Sequence, residues 1–218
     1  MPPLTHPILE QSFAVIDREI GEHKLNPEEY AIARRVIHST ADFEFKDLLR
    51  FSPGAIEGAI TAIRCHTPIV VDVNMVKQGI ISLVAKTFHN PVIVAVEQAT
   101  QALPGRTRTA TGILQCWQEF PEAIYVIGNA PTALLALCAR LQSSSNQPPL
   151  VIGAPVGFVS VIESKAVLAQ TPVPQICVEG RKGGSPIAAA ILNALIVLAW
   201  ETPDLRLLQE VGDLKRVD

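Results

Sequence analysis

The residue best placed for proton chemistry is His38, in the run Arg35-Val36-Ile37-His38-Ser39-Thr40-Ala41-Asp42. An imidazole gives and takes a proton near neutral pH, and Asp42 or a backbone carbonyl is available to fix its tautomer. The run closes a helix-patterned segment, and the C-terminal end of a helix favours the protonated ring. Arg35 precedes His38 by one helical step, so the two share nearly one face. Arg106, Arg108 and Arg181 add guanidinium groups elsewhere. Several such groups around a cleft suit a ligand rich in carboxylates, because each can grip one in bidentate fashion. Taken singly, a histidine at a helix end is more often a cap or a core residue, and each arginine reads as well as a surface charge.

Other chemistries find less support. Gly180-Arg181-Lys182-Gly183-Gly184-Ser185 lacks the spacing of a phosphate-binding loop, and no G-x-G-x-x-G opens a helix. Its glycines read as turn residues or as positions that cradle carboxylates. The five histidines are scattered, with no H-E-x-x-H and no cysteine at ligand spacing, so no metal site is expected. No G-x-S-x-G occurs, and Ser12, Ser39 and Ser164 show no evident base. Glu163 and Lys165, on either side of Ser164, read as part of a solvated helix face. The four cysteines form no C-x-x-C pair and read as buried or half-buried thiols in a reducing cytosol.

With 48% apolar residues, the chain can bury a large core, and its length suits one domain over 1–200 with a charged extension over 201–218. A net charge of −3 gives no basic footprint for nucleic acid, and 5% aromatic residues make a base-stacking platform a poor reading. Met1 to His6 lacks the pattern of a secretory signal. Ile187 to Trp200 is apolar but shorter than the roughly 18 residues a spanning helix needs, so it reads as a buried core helix. A cytoplasmic protein with no membrane segment is expected.

The elements that must position His38 follow from periodicity. Helices are predicted over Ile8 to His23, from an Asn26 cap with Pro27 and Glu29 to about His38, and from Ser52-Pro53 through Ile63. Beyond them, strand runs at Pro68–Val73, Pro91–Val96, Ala123–Ile127, Leu150–Ile152 and Gln175–Val178 lack polar alternation. Helical stretches at Thr107–Phe120, Pro131–Leu141, Val159–Ala169 and Ser185–Trp200 separate the later ones. Fully apolar strands joined by helices predict a mostly parallel sheet covered on both faces. Ligands of such sheets bind beyond the carboxyl ends of the strands, where Asp72–Met75, Gly128–Thr132, Gly153–Phe158 and Gly180–Ser185 fall. Each turn leads into a helix N-terminus, whose free amides would favour anions.

These motifs carry a resemblance. Ser12-Phe13-Ala14-Val15-Ile16, the run around His38, Asp72-Val73-Asn74-Met75-Val76, Gly128-Asn129-Ala130-Pro131-Thr132-Ala133-Leu134, Pro155-Val156-Gly157-Phe158-Val159 with Glu163-Ser164-Lys165, and the 180–185 loop resemble, in order and spacing, the precorrin-8X methylmutase family. The resemblance implies a three-layer α/β/α fold, a homodimer with its site near the subunit interface, and no cofactor. It implies an isomerase of cobalamin biosynthesis that moves a methyl group from C-11 to C-12 of precorrin-8X, or of cobalt-precorrin-8, to give hydrogenobyrinate or cobyrinate. By this likeness His38 is the proton donor and acceptor, Ser12 and Arg35 touch the substrate, and Arg108 is lent by the neighbouring subunit. Thr40, Ile80, Gly180 and Arg181 are further implied contacts. Two other readings stay open: a tetrapyrrole carrier without catalysis, and a nucleotide- or phosphate-binding regulatory domain.

Overall fold

A computed structural model describes residue 4 and residues 6–201. The chain opens with α1 (Pro7–Glu19) and α2 (Pro27–Thr40). The second begins where its capping signature predicts. Asn26 Oδ1 accepts from the Glu29 amide at 2.9 Å, and Glu29 Oε2 accepts from the Asn26 amide at 3.0 Å. It ends on Ala41, which turns into the left-handed region at φ 54° while its amide closes the last turn on Ile37 O.

A short α3 (Phe45–Leu48) then leads into β1 (Leu49–Phe51), followed by α4 (Ala55–Arg64), β2 (Ile69–Val71), α5 (Asn74–Lys86), β3 (Val92–Val94) and α6 (Ala95–Gln98). The remainder runs α7 (Arg108–Glu119), β4 (Ile124–Ile127), α8 (Pro131–Gln142), β5 (Val151–Gly153), α9 (Val161–Ala169), β6 (Gln175–Val178) and α10 (Ser185–Glu201). The strand order is β1-β6-β5-β4-β2-β3, parallel throughout except for β1, which pairs antiparallel with β6. This is the expected α/β class with its mostly parallel central sheet.

Alternation along each strand divides the core. Ile124 and Val126 of β4 face the layer of α2, α4, α5 and α10, whereas Tyr125 and Ile127 face α7, α8 and α9. Both faces are dry, which is why the strands read as unbroken apolar runs. The apolar segment expected as a core helix is α10, packed against α2, α4 and α5. Among the described residues no helix is long and apolar enough to cross a membrane.

The second predicted strand run, Pro91–Val96, ends early. Its last two residues, Ala95 and Val96, begin α6, with the Val96 amide turned to Asp72 O at 3.2 Å. Of the four cysteines, Cys116, Cys138 and Cys177 are buried, but Cys65 is exposed beyond α4 rather than covered. The expectations for residues 1–5 and for the extension after Glu201 lie outside the described residues, apart from Leu4.

Candidate active site

His38 sits in the last turn of α2, exposed. Its Nδ1 lies 2.7 Å from Ser12 Oγ on α1. The partner expected from sequence, Asp42 or a backbone carbonyl, is not the one observed. Asp42 instead accepts from Lys182 Nζ at 2.5 Å and from the Glu44 amide at 3.0 Å, and these contacts hold its carboxyl below the usual carboxylate range. Phe13 meets the imidazole edge-on, with ring centroids 5.7 Å apart. Nε2 has no protein partner among the described residues and is the nitrogen open to a ligand.

Arg35 shares the face, as its spacing predicts. It is half-buried, its guanidinium 5.9 Å from the Phe13 ring centroid, and no hydrogen bond holds it among the described residues. Burial lowers its pKa, with Glu201 pulling the other way. A half-buried guanidinium with no hydrogen-bond partner is a ready grip for a carboxylate. Thr40 is occupied differently: its hydroxyl donates to Val36 O at 2.9 Å and accepts from the Asp42 amide at 3.3 Å.

Across from the end of α2 stands the loop between β6 and α10. Lys182 ties it to Asp42 and Glu44. From beneath, Lys165 Nζ donates to Gly180 O at 2.8 Å and to Lys182 O at 2.7 Å. Gly180 needs its left-handed conformation (φ 71°), and a Cβ at Gly183 would stand 2.4 Å from Ala154 O. Arg181 remains exposed, its guanidinium 5.8 Å from the ring of Phe158, which is itself 86% exposed. The solvated face expected at Glu163 and Lys165 fails at Lys165, and Ser164 lies inside with it. Both are buried and only Glu163 stays outside, and burial pushes the Lys165 amine down to about 8. A cavity of about 600 Å³ opens beside this strut, lined by Arg50, Ile162, Lys165, Cys177 and Gly180 but not by His38.

The expectation of free amides along the rim also needs correction. Asp72, fully buried at the end of β2, accepts from the amides of Gly128 (3.0 Å), Asn129 (2.7 Å) and Ala130 (2.8 Å). The Gly184 amide is taken by Ala154 O at 2.8 Å. Those donors shape the loops instead of waiting for an anion. The signal is Asp72 itself, which closes an apolar strand run: a carboxylate buried there needs donors.

Two implied contacts lie apart. Ile80 is fully buried in α5 and belongs to the apolar core, so its side chain offers no surface to a ligand. Arg108 is exposed at the start of α7, in the layer on the far side of the sheet from α2.

The precorrin-8X methylmutase family matches the chain over residues 7–198. The chain belongs to that family. A cobalt-precorrin-8 methylmutase of Synechocystis sp. is 58% identical over 92% of this chain and 99% of its own length. A precorrin-8X methylmutase of Pseudomonas aeruginosa is 39% identical over 86% and 93%. The solved precorrin-8X methylmutase of Thermus thermophilus superposes with a TM-score of 0.84 at 41% identity, covering 89% of this chain and 96% of that one. Like the members of its family, the chain is an isomerase of cobalamin biosynthesis, and the reading as a carrier is not favoured.

Proposed function

We propose that this enzyme moves a methyl group from C-11 to C-12 of cobalt-precorrin-8, with His38 as the proton donor and acceptor. The 58% identical relative bears the name of the cobalt-containing reaction, which favours that substrate over precorrin-8X. One observation carries the catalytic assignment: His38 is exposed at a helix end, with Nδ1 held by Ser12 and Nε2 left outward. Protonating a ring nitrogen makes the neighbouring conjugated system electron-poor and draws the methyl across. When the Ser12 hydroxyl donates to Nδ1, the neutral imidazole carries its proton on Nε2. When the ring is cationic, Nδ1–H donates back to the same oxygen. Arg35, Arg181 and the Gly180 loop grip the peripheral carboxylates, so orientation and fixed charge carry much of the rate.

The site is shared between two copies in this reading. Arg108 lies in the layer on the far side of the sheet from His38 within one protomer, and Phe158 and Val159 (82% exposed) form an apolar patch beside the rim that a second protomer would cover. The enzyme works in the cytoplasm. Incubation with cobalt-precorrin-8 and with precorrin-8X, followed by absorbance and mass, tests the reaction: unchanged mass with a shifted spectrum marks the isomerisation. Mixing H38A with R108A protomers tests the sharing. One intact site per mixed dimer restores about a quarter of wild-type turnover under random pairing, and no recovery counts against it.

A further inference from the structure

α1 rests on α2 through Ile16 and Ile20, both buried, whereas Ile8 and Val15 on its other sides are exposed. Those anchors lie beyond Ser12, and next to it the only apolar contact among the described residues is the partly buried ring of Phe13, so the rotation of α1 at Ser12 depends on how that ring is held. The tolerance is small. A roll of about 20° at a side-chain radius of about 5–6 Å displaces Oγ by about 2 Å, enough to break its bond to His38.

A clasp built on Arg34 removes that freedom. Arg34 Nη1 donates to Asp17 Oδ2 at 3.0 Å, and the Tyr30 hydroxyl donates to the other oxygen of the same carboxylate. The guanidinium lies 4.3 Å from the Phe13 ring centroid and 5.6 Å from that of Tyr30. Phe13 follows Ser12 directly, and its ring abuts His38. Arg34 is four residues before His38 on α2, so clasp and imidazole are stacked one turn apart. Its Nε is buried with no hydrogen-bond partner, which costs stability that a half-exposed ion pair does not return. The arrangement makes sense if it serves geometry.

We propose that Arg34, pinned to Asp17 and stacked on Phe13, is a positioning residue that fixes α1 on α2 and so holds Ser12 Oγ against His38 Nδ1. Only the kinetic arm of its test rests on the function proposed above. In ligand-free enzyme, the ring ¹⁵N shifts of His38 report one neutral tautomer in the wild type. R34M, which keeps the stem but loses the fork, is expected to show a tautomer mixture like that of S12A, and R34K an intermediate state. The kcat of R34M falls about 10-fold with KM within about two-fold, and S12A/R34M is no slower than S12A alone. A single tautomer in folded R34M, or losses that multiply in the double variant, overturns the proposal. Should R34M not fold, D17N takes its place: a tautomer mixture in D17N supports the clasp, and a single tautomer overturns it. A tautomer mixture with undiminished turnover sustains the clasp and removes His38 as proton donor.

Discussion

Ser12 Oγ stands 2.7 Å from His38 Nδ1, although 26 positions separate the two in the chain. A hydroxyl can donate to a neutral ring and accept from a charged one, so the contact survives both halves of a proton transfer. The open nitrogen is thereby always the same one.

Removing that ring tests its role directly. H38A is expected to lose about 10²–10⁴-fold in single-turnover rate while its melting curve stays that of the wild type, because the side chain is exposed. Full turnover in a folded H38A protein refutes proton donation by this residue. S12A is expected to be slower than wild type but faster than H38A, since it frees the tautomer without removing the acid.

Asp72 is the structural counterpart. D72A strands three amides at the β4–α8 turn and is expected to cost at least about 3 kcal/mol in urea unfolding. D72N, which keeps one acceptor oxygen but sets an NH2 group against the remaining amides, should fall between. Wild-type stability in D72A would mean that solvent serves those amides equally well.

Gly112 marks the tightest approach of two backbones. A Cβ there would lie 1.8 Å from Ala95 O, between α7 and α6, with no flexible side chain to yield. G112A is expected to lose about 3 kcal/mol or more, or to accumulate no folded protein. Circular dichroism and thermal melting check it, and a melt like the wild type's contradicts the close packing.

Alkaline pH should weaken the fold. Burial pushes the thiols of Cys116, Cys138 and Cys177 up to about 11. From about pH 8.5 upward the unfolded chain sheds thiol protons that the folded chain keeps, so stability falls as pH rises. Lys165 acts oppositely. With its folded pKa near 8 it is relieved between about pH 8 and 10.4, where only the unfolded chain stays protonated. Three thiols outweigh one amine. Melting temperature is therefore expected to drop between about pH 8.5 and 10, less steeply in C138A; a rise over that range would contradict the burial of the thiols.

Much of this architecture is legible from residue patterns. The Asn26–Glu29 capping box, the apolar strands and the helical stretches between them appear where periodicity puts them, because both faces of the sheet are covered. β1 escapes such a reading for a physical reason. It is three residues long with Arg50 at its centre, and its strand character comes from pairing with β6 rather than from composition. The site is legible in its residue types but not in its pairings. His38 and Ser12 stand out, yet which group holds the imidazole depends on how α1 lies across α2. Lys165 misleads because a charged residue on a helix is usually solvated, and only the fold reveals the two carbonyls it serves.

The antiparallel strand at the sheet edge has a consequence for biosynthesis. Leu49 pairs with Val178, and Lys182 reaches back to Asp42, so the His38 segment meets its opposing loop only once four-fifths of the polypeptide has been made. Such distant partners slow folding. A truncated translation product ending before β6 carries Ser12, Arg35 and His38 but lacks the loop that faces them, so the site is completed late in synthesis.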